Sequence, residues 1–160
     1  MGKFCLTLFF YLTALFACKP LVRVDMDSYI HNKEYYEGKR VVFTTDLENI
    51  VREYEVYQGK EVEISAPVTY FGRNNFRTWY LILEEEGKKI RCYEDEYRIY
   101  SGRDALFLIR QAKREGKEVT VRGKLTRDGI ELNRLTYKEY CVNTNSKPPE
   151  MRIPKFSSYF

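Results

Sequence analysis

Six residues in the middle of this sequence have the types and spacing to grip a ligand. Tyr80, Arg91 and Tyr93 share one parity in neighbouring runs of period two, so they would fall on one face of a sheet. Arg73, Arg77 and Arg127 sit in or beside the turns that flank those runs. Tyrosine rings stack on flat groups, and guanidinium groups attract rings, phosphates and acidic sugars. The bland alternative stays open: the same residues would also make a plain solvated strand face in a charge-rich chain. Catalytic chemistry has less to stand on. His31 is the single histidine, so a histidine dyad lacks its second member. No C-x-x-C, H-E-x-x-H, P-loop or dinucleotide fingerprint occurs, and no cofactor or metal is expected. Glu84-Glu85-Glu86 and Glu94-Asp95-Glu96 offer clustered oxygens of the kind hard cations take, although charged turns have the same composition.

A different chemistry is written at the start of the chain. Lys3 precedes an uncharged, Phe- and Leu-rich run from Phe4 to Ala17, the layout of a charged region followed by an apolar export segment. That run is shorter than the roughly 20 residues a spanning helix needs. The stretch Leu15-Phe16-Ala17-Cys18 resembles the lipobox of bacterial lipoproteins, in which a cysteine thiol receives a diacylglycerol and the chain is cut just before it. The resemblance implies that residues 1–17 are a signal peptide and that Cys18 carries the lipid. The expected partner is a membrane, met through that anchor on the extracytoplasmic side. An ordinary secretory signal cut near Ala17 and a buried N-terminal helix are the competing readings. A buried helix would show polar residues at helical period, and this run has almost none.

Loss of residues 1–17 removes one lysine and no acid, lowering the formal charge from +4 to +3. The remainder suits one domain with a sizeable core. Residues 18–40 mix charges and tyrosines without a sustained period and are expected to be a tether. From 41 to 142 a globular domain follows. Thr45-Asp46-Leu47-Glu48 has the form of a capping box, and Leu47, Ile50, Val51 and Tyr54 give the helix behind it one apolar face, closed by Gly59. Alternation then marks strands at Glu61–Ala66, near Trp79–Leu83 and at Lys89–Tyr93. Ala105, Leu108, Ile109 and Ala112 make a helical stripe after a capping pair at Ser101 and Asp104. Val119 to Leu125 and a strand from Ile130 form a last hairpin round Arg127-Asp128-Gly129. The proline-bearing segment 143–160 reads as a flexible tail, and no internal repeat stands out.

Three meandering strands, a helix and a hairpin follow the element order of the OB-fold, a five-stranded, partly open barrel. The resemblance covers residues 61–137 and predicts a mainly β protein with a small OB-fold-like barrel, a helix between strands 3 and 4, and an extra N-terminal helix. It implies a ligand face across strands 2 and 3, where Tyr80, Arg91 and Tyr93 lie, for a protein, oligosaccharide or oligonucleotide ligand. It also sets strand 3 beside strand 5, so that Cys92 and Cys141 could meet in a disulfide; the alternative is a core Cys92 and a free Cys141. The expected function is a lipid-anchored, non-catalytic binding or assembly module of the cell envelope. The enzyme alternative is a thermonuclease-like barrel using Arg91 and Glu94 with calcium, whose characteristic Asp-Gly-Asp-Thr stretch is absent.

Overall fold

The computed structural model describes residues 21–73, 79–94 and 102–143. The expected signal peptide, Cys18, Arg77, Asp95, Glu96, the Ser101 cap and the tail from 144 onward lie outside them. In chain order the elements are β1 (Leu21–Val24), α1 (Met26–His31), α2 (Lys33–Tyr36), β2 (Arg40–Thr44), α3 (Leu47–Arg52) and α4 (Tyr54–Tyr57). They continue as β3 (Glu61–Ala66), β4 (Val68–Arg73), β5 (Trp79–Glu85), β6 (Lys88–Tyr93), α5 (Gly102–Glu115), β7 (Val119–Thr126), β8 (Gly129–Tyr137) and β9 (Tyr140–Asn143). Among the described residues no helix is long and apolar enough to cross a membrane.

The protein is mainly β and its strand order is OB-fold-like, but the sheet is larger than expected: nine strands in place of five. Pairings run β3–β7–β8–β6–β5–β4, with β6 and β8 parallel and the rest antiparallel, and β4 follows β3 across the single residue Pro67. A proline without an N–H is tolerated at such a break because no ladder bond is needed there. One apolar face per strand turns inward. Ile64, Leu81, Leu83, Val121, Leu125, Ile130, Leu132 and Leu135 are all buried, and Ala105, Leu108, Ile109 and Ala112 of α5 belong to the same core. Trp79 is buried with them, a core residue and not a stacking platform. Between β5 and β6, Glu86 and Gly87 both have positive φ, 49° and 78°, as a two-residue hairpin of right-handed twist demands.

Residues 21–40 are not a tether. They form a strand–helix–helix unit that recurs 21 residues later, the internal repeat that the sequence did not suggest. Asp25 and Asp46 are both N-caps, accepting at 2.7 Å from the backbone N–H of Ser28 and Asn49. Met26 and Leu47 are buried behind them. Asn32 and Glu53 break the helices at matching angles (φ −130°, ψ 36° and φ −115°, ψ 36°), and Gly38 and Gly59 end each unit at φ 72° and 77°. Even the strand registers repeat, with Leu21 opposite Arg40 and Phe43 opposite Val62, both pairs parallel. Tyr29 packs edge-on to Phe43, and Phe43 edge-on to Tyr57, joining the units through aromatic contacts.

The single N-terminal helix is corrected accordingly. Asp46, one residue beyond the expected Thr45, is the cap, and the Thr45 hydroxyl is buried without a hydrogen-bond partner. Asp is the stronger capping acceptor, and this phase turns Leu47 and Ile50 into the core. Val51, expected on the apolar face, is exposed.

Candidate ligand-binding face

The outer faces of β4, β5 and β6 carry the candidate site. Register sets Tyr80 opposite Tyr93 on one side and Gly72 on the other, and Arg91 opposite Ile82. The guanidinium carbon of Arg91 lies 4.5 Å from the Tyr80 ring centroid and 5.9 Å from that of Tyr93. Each such contact on an exposed face contributes about 0.5–1 kcal/mol. Three of the residues singled out in the sequence are thus brought together.

Tyr70 joins them and was missed. Its ring lies 5.5 Å from that of Tyr80, tilted by 30°, and it is 48% exposed. The ring reaches Tyr80 by passing over Gly72, where a Cβ would stand 2.6 Å from ring atoms and would displace the exposed Tyr70 ring. Hydrogen bonding to Tyr70 holds the Tyr80 phenol above its ordinary pKa, while Arg91 pulls the other way. A register shift between Val68 and Tyr70 interrupts the alternation, which removed the period-two signal that would have exposed Tyr70 in the sequence.

The hairpin between β7 and β8 fixes the other flank. Tyr93 and Thr126 share a hydroxyl hydrogen bond of 2.8 Å, and Thr126 Oγ1 also donates to the Gly129 carbonyl at 2.9 Å. Arg127 is exposed at the tip of this turn and Arg73 is exposed at the end of β4. They stand at the margins of the tyrosine–arginine group, and neither forms an ion pair among the described residues.

Glu94 does not meet Arg91. It is 2% exposed and lies on the opposite parity of the chain from Arg91 and Tyr93. Glu84 is engaged by Lys89 at 3.3 Å. Among the described residues no group of three or more His, Cys, Asp or Glu side chains is placed to hold a metal ion. His31 lies exposed on α1, with Nδ1 2.7 Å from the carbonyl of Asp27.

The two remaining cysteines are free, which corrects the disulfide expectation. Cys92 of β6 pairs with Ile130, at the start of β8, whereas Cys141 of β9 pairs with Thr136 near its end. At about 3.3 Å per strand residue the two lie roughly 20 Å apart, far beyond bridging reach. Strands 3 and 5 do adjoin, but the chain after strand 5 turns back along the other half of the same edge. Burial pushes the Cys92 thiol well above its ordinary pKa, leaving almost no thiolate. Alkylation of the native full-length protein, mapped by peptide mass, should modify Cys141 within minutes and Cys92 only after unfolding. Comparable rates at both would contradict this burial.

No protein-family model matches this sequence, and no curated protein matches it. Among solved structures it is similar to part of apo TiaS, a tRNAIle2 agmatidine synthetase, at 17% identity and a TM-score of 0.39, covering 57% of this chain and 20% of that one. It is also similar to part of the asparaginyl-tRNA synthetase from Pyrococcus horikoshii, at 17% identity and a TM-score of 0.36 over 58% of this chain and 22% of that one. A putative aspartyl-tRNA synthetase from Leishmania major Friedlin matches at 12% identity and a TM-score of 0.35, over 66% and 24% respectively. This chain therefore spans only about a fifth to a quarter of the length of these structures.

Proposed function

We propose that this protein is a lipid-anchored, non-catalytic binding module of the cell envelope, held to a membrane through Cys18. Its small OB-fold-like barrel offers the face of Tyr70, Tyr80, Arg91 and Tyr93 to a ligand. The observation that supports this reading is the Arg91 guanidinium lying over Tyr80 and near Tyr93 with no carboxylate partner among the described residues. A solvated strand face in so charged a chain would normally pair its arginines with the abundant acids. This one is aimed at rings, and it suits a ligand with flat or sugar rings and a nearby negative charge. The sheet begins at Leu21, three residues after Cys18, so the anchored domain would sit close to the bilayer.

The test uses the lipidated protein in detergent with two probes, a labelled single-stranded oligonucleotide and an acidic oligosaccharide. One of them should bind, and Tyr80→Ala or Arg91→Ala should weaken it about tenfold, the effect of losing one stacked ring. Indifference of both variants to whichever probe binds would refute the face. Cys18→Ser should abolish metabolic lipid labelling and membrane fractionation; a variant that stays membrane-bound after signal cleavage would refute the anchor.

A further inference from the structure

We propose that the outer face of β3, β7 and β8 is a phosphate-binding site built on Arg122 and Arg134, separate from the tyrosine face. Register sets Glu63, Arg122 and Arg134 in one row across the three strands. Two arginines directly opposite each other on antiparallel neighbours repel, which destabilises the pair unless an anion lies between them. The Arg122 side chain is only 12% exposed. The Nε of Arg122 and of Arg134 are both buried with no hydrogen-bond partner, a costly state for a charged donor.

The carboxylates within reach are already taken. Glu63 is gripped through both oxygens by Arg23, at 2.6 and 3.1 Å, and Glu61 likewise by Arg40, at 2.9 and 3.0 Å. Glu61 also lies 3.3 Å from Arg122 Nε, close enough for an ion pair but misaligned for a hydrogen bond. In the next row Lys124 and Glu131 stand opposite each other and compensate. Four guanidinium groups therefore share two carboxylates, an excess of two positive charges. Burial holds the Arg122 pKa below its ordinary value; Glu61 opposes this, and Arg134 and Arg40 add to it.

What fits is an oxyanion with more than one charge and several acceptor oxygens, because guanidinium forks match phosphate geometry. Neutral donors adjoin the row: Ser65 and Thr120 share a hydroxyl contact of 2.7 Å, and Asn143 of β9 is opposite Arg134. The phosphate could belong to a free phosphorylated molecule or to a lipid headgroup. The second source is close at hand, since Arg23 of the same face lies five residues after Cys18.

Arginine side-chain Nε–H resonances of the protein, followed by NMR during titration with inorganic phosphate, test the site. Those of Arg122 and Arg134 should shift saturably, and sodium chloride at equal ionic strength should not reproduce the shift. Arg134→Gln should weaken phosphate binding at least tenfold while keeping or raising the melting temperature in phosphate-free buffer, because it relieves repulsion. Arg110→Gln, exposed on α5 and outside both proposed sites, should leave the titration unchanged. Shifts matched by chloride or retained in Arg134→Gln would overturn the proposal, as would a fall in the phosphate-free melting temperature of Arg134→Gln, which would mark Arg134 as purely structural. Vesicles of phosphatidylcholine with and without phosphatidylglycerol separate the sources. Perturbation of the same resonances only by the anionic vesicles assigns a headgroup, and saturation by inorganic phosphate without vesicle response assigns a free phosphorylated ligand.

Discussion

Gly129→Ala is expected to destabilise this domain by about 3 kcal/mol or more, from left-handed backbone strain of roughly 1–3 kcal/mol and a steric clash on top of it. Gly129 opens β8 at φ +123°, where an L side chain rarely goes. A Cβ there would stand 2.0 Å from the backbone oxygen of Arg91. That neighbour is main chain in the middle of β6 and cannot swing away. Either β6 separates from β8 or the turn that holds Thr126 moves, and both disturb the Tyr80, Arg91 and Tyr93 group. Gly59→Ala is the control: its φ is +77° but nothing lies within 4 Å of the added carbon, so its expected cost is about 1 kcal/mol. Urea denaturation of the three proteins checks the ranking, and equal midpoints for the two variants would refute it.

Excision of residues 25–45 should leave a folded barrel. The cut removes one repeat length of 21 residues, taking out α1, α2 and β2, joins Val24 to Asp46, and presents β1 to β3 in the place β2 now holds, with Val22 standing where Phe43 stood. Repeat units contact mainly their neighbours, so losing an integral unit lowers stability without scrambling what remains. The shortened protein is expected to show a single cooperative transition at a lower midpoint, with native near-ultraviolet dichroism. Excision of 28–45 removes a non-integral span and separates the Asp46 cap from its strand; it should give an unfolded product. Collapse of both deletions would show that the first unit is indispensable to the barrel.

How much of this was legible in the sequence depended on burial. Val62 and Ile64, Leu81 and Leu83, and Val119, Val121 and Leu125 alternate because one face of each strand is core, and those strands and the α5 stripe could be read directly. β4 could not, since its register shift breaks the alternation and its Tyr70 points outward. The first repeat unit hid for another reason. Its helices run six and four residues before Asn32 and Glu37 stop them, shorter than the window in which a helical period becomes visible. Only comparison at an interval of 21 residues aligns Asp25 with Asp46, Tyr36 with Tyr57, and Gly38-Lys39 with Gly59-Lys60. Tyr80, Arg91 and Tyr93 were recoverable because parity alone puts them on one face. Arg122 and Arg134 were not, because a charged residue on the outer parity of a strand looks solvated until its neighbours are known.

The break at Pro67 divides one stretch of chain between two kinds of pairing, and the division separates them in loop length. β4 closes against β5 through the short span from Val68 to Leu83, whereas β3 closes against β7 across the long span from Glu61 to Lys124. The entropy lost in bringing chain ends together grows with the span between them. The tyrosine–arginine face lies on the short-span meander β4–β5–β6, and it reaches the long-span part through the Tyr93–Thr126 bond and through the parallel pairing of β6 with β8. One chain segment therefore carries nearly all of the ligand face, and Pro67 marks where the long-span pairing of β3 gives way to it, with β8 as the shared neighbour that holds the two together.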